Sequence, residues 1–261
     1  MKTIAKIALL ITAFILILIM LQNGPRAQNA ASGSYTLPTG TSSPLPPTNA
    51  TAQIVTATAA PSTPPIFRDD FNGVLSPSWV WVNEDPSAWT LSAFPGYLQV
   101  SVANGTVRDG DAKNLLLFPI PEGDIQVTTM FTFSPNENFQ FAGLIFYQSE
   151  ANHFQIGRSF CRGYGSPCIE AGIYVQFFKN YRIDTPNEAT AYDTYAPILL
   201  RVTRRGNEYE LDISGDGEIW IRYAKYTLDF EPAYVGLIAA ENQADPAMAL
   251  FDFFEISAPP K

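Results

Sequence analysis

The sequence predicts an all-β fold, a sandwich of two antiparallel sheets. Two observations carry that reading. From Phe67 onward, apolar side chains recur with period two in short runs, and helical spacing is hard to find in any window. Turn residues separate the runs: Pro95-Gly96, Pro121-Glu122-Gly123, Arg205-Gly206-Asn207 and Gly215-Asp216-Gly217. More than ten short strands in succession make a sandwich, and the lack of an internal repeat argues against a propeller.

Residues 1–27 come first. Lys2 and Lys6 precede an apolar run from Ile7 to Leu21, the pattern of a basic region and a hydrophobic region in an export signal. The run is short for a hydrocarbon core of about 30 Å. Small residues stand at Ala27, Ala30 and Ala31, but none has an ideal small partner upstream. A cleaved signal peptide and an uncleaved signal anchor therefore both stand. Either exports the remainder, so the expected location is extracellular or at the cell surface. Membrane contact is expected only through this segment. No cysteine lies near the run, which excludes a lipoprotein anchor.

Residues 28–65 are rich in Ser, Thr, Pro and Ala and nearly uncharged. They lack the large apolar residues needed to fold, so a disordered, extended linker is expected. Asn49-Ala50-Thr51 is a glycosylation sequon, as is Asn104-Gly105-Thr106 in the next segment.

Residues 66–261 hold the strands. In DIQVTTMFTFS, Ile125, Val127, Phe131 and Phe133 share one face, with Gln126, Thr128, Thr132 and Ser134 on the other. Further strands are expected in YLQVSV, NLLLF, FQFAGLIFY, HFQIGRSF, GIYVQFF, ILLRVTR, EIWIRYA, YVGLIAA and ALFDFFEIS. Cys161 and Cys168 flank a Gly-Tyr-Gly-Ser-Pro turn, and in an exported chain they read as a disulfide; the alternative is two free thiols. A net charge of −9 argues against nucleic acid and polyanions. One histidine, His153, excludes multi-histidine zinc sites.

Acids two apart in YELDISGDGEIW raise the question of hydrolysis. Some retaining glucanases carry catalytic acids spaced E-x-D-x-E or E-x-D-x-x-E on one strand. Glu210 and Asp212 supply two, but Ser214 and Gly215 stand where a third would be. Tyr209, Leu211 and Ile213 point one way and the acids the other, as on any amphipathic strand. Gly-Asp-Gly predicts a tight hairpin turn between this strand and EIWIRYA.

RDDFNG, WVWVNEDPSAWTL, PGYLQV, KNLLLFPIPEGDIQVTTMFTF, NFQFAGLIFYQSEANHFQIGR, LLRVTRRGNEYELDISGDGEIW, YVGLIAAENQ and FDFFEIS follow in order. Together they resemble the concanavalin A-like domain at the C-terminus of family 43 β-xylosidases and the related DUF1349 family. The resemblance implies a jelly-roll sandwich with one concave face, attached to glycan chemistry. It also implies a structural calcium ion as the one candidate cofactor, near the chain ends. Asp70, the carbonyl of Gly96 and Asp252 are its expected ligands, with the first and last strands paired.

The leading expectation is a monomeric, non-catalytic module that binds a carbohydrate or cell-surface glycan. Sugar sites pair aromatic faces with polar groups that bond hydroxyls. Gln140, Tyr147, His153, Arg158 and Glu241 are the candidates, being polar groups beside aromatics on strands. One alternative is a surface protein-interaction or structural module. Another is a glycoside hydrolase using Glu210 and Asp212.

Overall fold

A computed structural model of the chain describes residues 64–260 apart from 166, 193–195 and 242–246, and apart from the side chains of 185 and 186. The expected signal or anchor, and the linker up to residue 63, lie outside the described residues.

The strands in order are β1 (Phe67–Asp69), β2 (Val80–Val82), β3 (Trp89–Thr90), β4 (Leu98–Val102), β5 (Leu115–Pro119), β6 (Ile125–Thr132), β7 (Phe141–Ser149) and β8 (Asn152–Cys161). Then follow β9 (Glu170–Lys179), β10 (Arg182–Ala191), β11 (Ile198–Arg205), β12 (Glu208–Ser214), β13 (Ile221–Thr227), β14 (Tyr234–Ala240) and β15 (Ala247–Ser257). Among the described residues there is no helix. One sheet runs β13-β12-β11-β6-β15-β4-β3, with β1 also on β15; the other runs β10-β9-β8-β7-β14-β5-β2. Every pairing is antiparallel. The fold is a concanavalin A-like jelly-roll sandwich.

Alternation explains how the sheets stack. Ile125, Val127 and Phe131 of β6, and Tyr209, Leu211 and Ile213 of β12, are buried against Leu144, Phe146, Phe154, Ile156, Val175 and Leu237 of the facing sheet. Phe146 and Phe154 stack at 4.7 Å, with Tyr209 edge-on to Phe146 at 5.4 Å. Such ring pairs add about 0.5–1.5 kcal/mol each beyond area burial.

RDDFNG closes the sandwich near its termini. β1 pairs with β15, Asp69 opposite Phe254, as expected for the first and last strands. The Asp69 carboxylate accepts from Phe71 N (2.9 Å), Ser76 N (3.0 Å) and Trp79 Nε1 (2.8 Å). That pins Trp79 against Phe67, Phe118 and Phe254.

Two expectations are corrected here. The Gly-Asp-Gly stretch is not a tight hairpin turn, because β12 ends at Ser214 and β13 starts at Ile221. Asp216 Oδ1 accepts from both Glu218 N and Ile219 N at 2.9 Å, which draws those residues out of the ladder. The second is β10, which the sequence reading omitted; it is the edge strand beyond β9.

Candidate functional site

The seven-stranded sheet has one face against the core and one face outward, and the outward face is a grid that can be read from the register. One row runs Tyr234, Tyr147, His153, Phe178, Ile183 across β14, β7, β8, β9 and β10. The next runs Gly236, Ile145, Gln155, Gln176, Asn187 over the same strands. A third runs Ile238, Gly143, Gly157, Tyr174, Ala189. The polar groups in these rows are His153, the tyrosine hydroxyls and three neighbouring amides. Gly143 and Gly157 sit opposite each other, and a Cβ on either would fall 2.2 or 2.1 Å from backbone oxygen of the adjacent strand. That close approach needs glycine.

Over β8, β9 and β10 lies a groove of about 450 Å³, within the range of ligand pockets. Gln176, Asn187 and Glu241 line it with Tyr174, Phe178 and Ile183. Phe139, Tyr164, Cys161 and Cys168 form a side wall. The cysteines are joined in a disulfide, with Cα atoms 5.0 Å apart. Tyr164 leans on Phe139 at 4.9 Å and is 66% exposed, so its ring is open to a ligand.

The polar groups are linked. Gln155 Nε2 donates to Gln176 Oε1 (2.7 Å) and to Glu241 Oε1 (3.2 Å). Gln155 Oε1 and Asn187 Oδ1 are buried and have no hydrogen-bond partner. Burial pushes the Glu241 carboxyl up to about 7, against the pull of Gln155 and Arg108. Near neutral pH it can therefore donate as well as accept. Arg108 is engaged by Asp109 through two bonds of 3.0 Å.

The expected site residues divide. Glu241 lines the groove. Tyr147 and His153 lie in the row beside it, with His153 buried and stacked on Phe178 at 4.5 Å. Burial holds the His153 imidazole down to about 4, with only a partial offset from the Ser149 and Glu150 backbone. Gln140 and Arg158 are elsewhere, and both are fully buried. Gln140 Oε1 accepts from Asn136 N (2.9 Å) and Glu137 N (3.2 Å), clamping the turn before β7. Arg158 alternates to the inner face, where it donates to Phe133 O (3.3 Å) and faces the Tyr192 ring. Of these five, only Glu241 is among the described residues that line the groove: Gln140, His153 and Arg158 are buried, and Tyr147 lies in the adjoining row. Gln155, Gln176 and Asn187 were missed. The signal for Gln155 and Gln176 was a lone amide between apolar neighbours; Asn187 lies on the polar strand β10 and left none.

Glu210 and Asp212 project from the outer face of the other sheet, away from the groove. Arg222, Asp212, Arg201, Thr128, Glu255 and Arg68 form one row across six strands. Asp212 pairs with Arg201 (3.1 Å) and Arg222, and Glu210 with Arg205, Arg222 and Lys225. They form an ion ladder.

Asp70 follows β1, and Asp252 lies in β15. Burial raises the Asp252 carboxyl; Arg68 opposes this and Asp70 reinforces it. Arg68 already holds Asp70 at 2.6 Å and Glu255 at 2.6 Å. Gly96 lies near Asn72. No cluster of three acid, His or Cys ligands occurs among the described residues. With a guanidinium on one of its two carboxylates, the set does not fit a hard cation as it stands.

Residues 68–257 match the family described as the beta xylosidase C-terminal concanavalin A-like domain. The chain belongs to this family. Solved structures similar to it include the GH43 protein BlXynB from Bacillus licheniformis, with TM-score 0.64, 22% identity, and coverage of 74% of this chain and 39% of that one. Xylan beta-1,4-xylosidase from Bacillus halodurans gives 0.60, 18%, 75% and 39%. Bacillus licheniformis beta-glucanase gives 0.50, 11%, 76% and 100%. At these identities the likeness is one of fold. The chain spans about two-fifths of the GH43 proteins it matches. Comparison with curated proteins by sequence returned no match.

Proposed function

We propose that this protein is an exported, non-catalytic carbohydrate-binding module whose ligand lies in the groove over β8, β9 and β10. The observation that carries this is the amide pair Gln176–Asn187, backed by the buried Gln155, beside Phe178, Tyr174 and Tyr164. Planar amides bond pairs of hydroxyls, and aromatic faces cover the C–H surface of a sugar ring. Family membership supports the same ligand class. One copy carries the whole groove, so a monomer suffices, and the ligand contacts need no cofactor.

Hydrolysis is disfavoured. A glycosidase needs two carboxyl groups flanking the bond, and Glu241 is the one carboxyl among the described groove-lining residues. A protein-interaction module is the second reading. Ile219 (70% exposed) and Ile221 (60%) flank Trp220 and make an apolar surface away from the groove.

The test is a glycan-array screen of the full-length chain, following binding and product release. Saturable binding without product, lost in Gln176→Ala, is expected. Binding that survives Gln176→Ala in a folded variant would move the ligand away from this groove.

A further inference from the structure

We infer that the groove captures the end of a linear, uncharged glycan chain, laid across β10, β9 and β8 with its terminus at Glu241. This rests on the carbohydrate-binding reading above and narrows it to one class of ligand and one mode of capture.

The direction follows from the register. Asn187, Gln176 and Gln155 are direct cross-strand neighbours. Adjacent strands lie about 4.8 Å apart, so the three amides step at right angles to the strands. That step is close to the length one pyranose ring adds to an extended chain. Gln176 and Asn187, which line the groove, can therefore serve successive rings of a chain that crosses the strands, while the fully buried Gln155 orients Gln176 and Glu241 through its amide hydrogens.

The polarity follows from an unmet group. Asn187 Oδ1 is a buried acceptor without a hydrogen-bond partner on a residue that lines the groove, while the fully buried Gln155 gives its amide hydrogens to Gln176 and Glu241. An unmet buried acceptor is costly, and a hydroxyl donor from the ligand relieves it. A charged sugar has no counterpart here, because the Arg108 guanidinium is already bonded twice by Asp109.

The closed end follows from the loop between β4 and β5. Val107 and Ala112 are buried on Leu115, Leu117, Ile238 and Ala240, which fills the outward face over β5 and β14. The loop is pinned: Asn83 Nδ2 donates to Gly110 O and Ala112 O at 3.0 Å, Thr106 N donates to Asp111 Oδ1 at 2.7 Å, and Glu241 N donates to Gly105 O at 3.1 Å. At Gly105 φ is +101, and a Cβ would lie 2.4 Å from Asp111 O. The chain thus meets a wall beyond Glu241. At the other end β10 is the sheet edge, so the rest of a polymer can leave past Asn187.

The test is calorimetric titration of the full-length chain with trimers, hexamers and long soluble polymers of the xylo-, cello- and manno- series. End capture predicts, in whichever series binds, one protein per chain at every length, and trimer and hexamer affinities within about threefold. Several proteins per polymer chain, or a trimer more than about tenfold weaker than its hexamer, would overturn end capture and leave carbohydrate binding standing. No binding in any of the three series would overturn both.

Discussion

Glu241→Gln tests whether the groove's inner end is as enclosed as the geometry indicates. Burial raises the Glu241 carboxyl from its ordinary 4.5 to about 7. Between those values the unfolded chain has released the proton and the folded chain still holds it. Folding therefore binds a proton, and stability falls as pH rises through that window. At 1.36 kcal/mol per pH unit the ceiling is roughly 3 kcal/mol. Glu241 is partly open to solvent, so about 1–3 kcal/mol is expected. Glutamine keeps the shape and cannot ionise. Its stability relative to wild type should therefore rise by about 1–3 kcal/mol from pH 4.5 to pH 8. Urea unfolding of both proteins at the two pH values measures this. The opposing titration of His153 is common to both and cancels in the difference. A difference that stays constant with pH would refute the enclosed carboxyl.

His153→Leu should reduce acid sensitivity. The buried imidazole titrates near 4 instead of 6.5, so stability is full above 6.5 and is lost as pH falls, by about 2 kcal/mol at pH 5; melts at pH 8 and pH 5 will show whether the variant escapes this. Asp212→Asn, which leaves Arg201 and Arg222 without their shared carboxylate, should cost about 1–2 kcal/mol in denaturant unfolding and leave glycan affinity unchanged. Cys161→Ser with Cys168→Ser opens a short loop, and the same denaturant assay should read a loss of about 2 kcal/mol. Chelation with EDTA should leave the melting temperature within about 1 °C, since no bound cation then contributes to stability.

Much of the fold was legible because alternation reports burial directly. β6 and β12 show it: one face must enter the core, so period two fixes both the strand and its orientation. β10 was not legible for the converse reason. It is an edge strand containing Pro186, and Asp184, Asn187, Glu188 and Thr190 leave little apolar signal. The Gly-Asp-Gly loop misled because its geometry depends on the Asp216 side chain, which a turn signature does not encode.

The site was only partly legible. Glu241 was found because it ends a clear strand. Arg158 was misplaced because alternation separates two faces without saying which is the core. A guanidinium facing the core is rare enough that the polar residue was assigned to the outside. Gln155 lies between Phe154 and Ile156, and Gln176 between Val175 and Phe177. Each is a lone amide in an apolar strand, but only the β8–β9 register brings the two together.

The most direct test of the central claim is glycan binding by the full-length chain against its Gln176→Ala variant, with circular dichroism to confirm that the variant is folded. Saturable binding by the wild type, weakened at least about tenfold in the variant and without product release, is the predicted result. Equal binding by both proteins would contradict the groove as the ligand site, and no binding by either would contradict the carbohydrate reading itself.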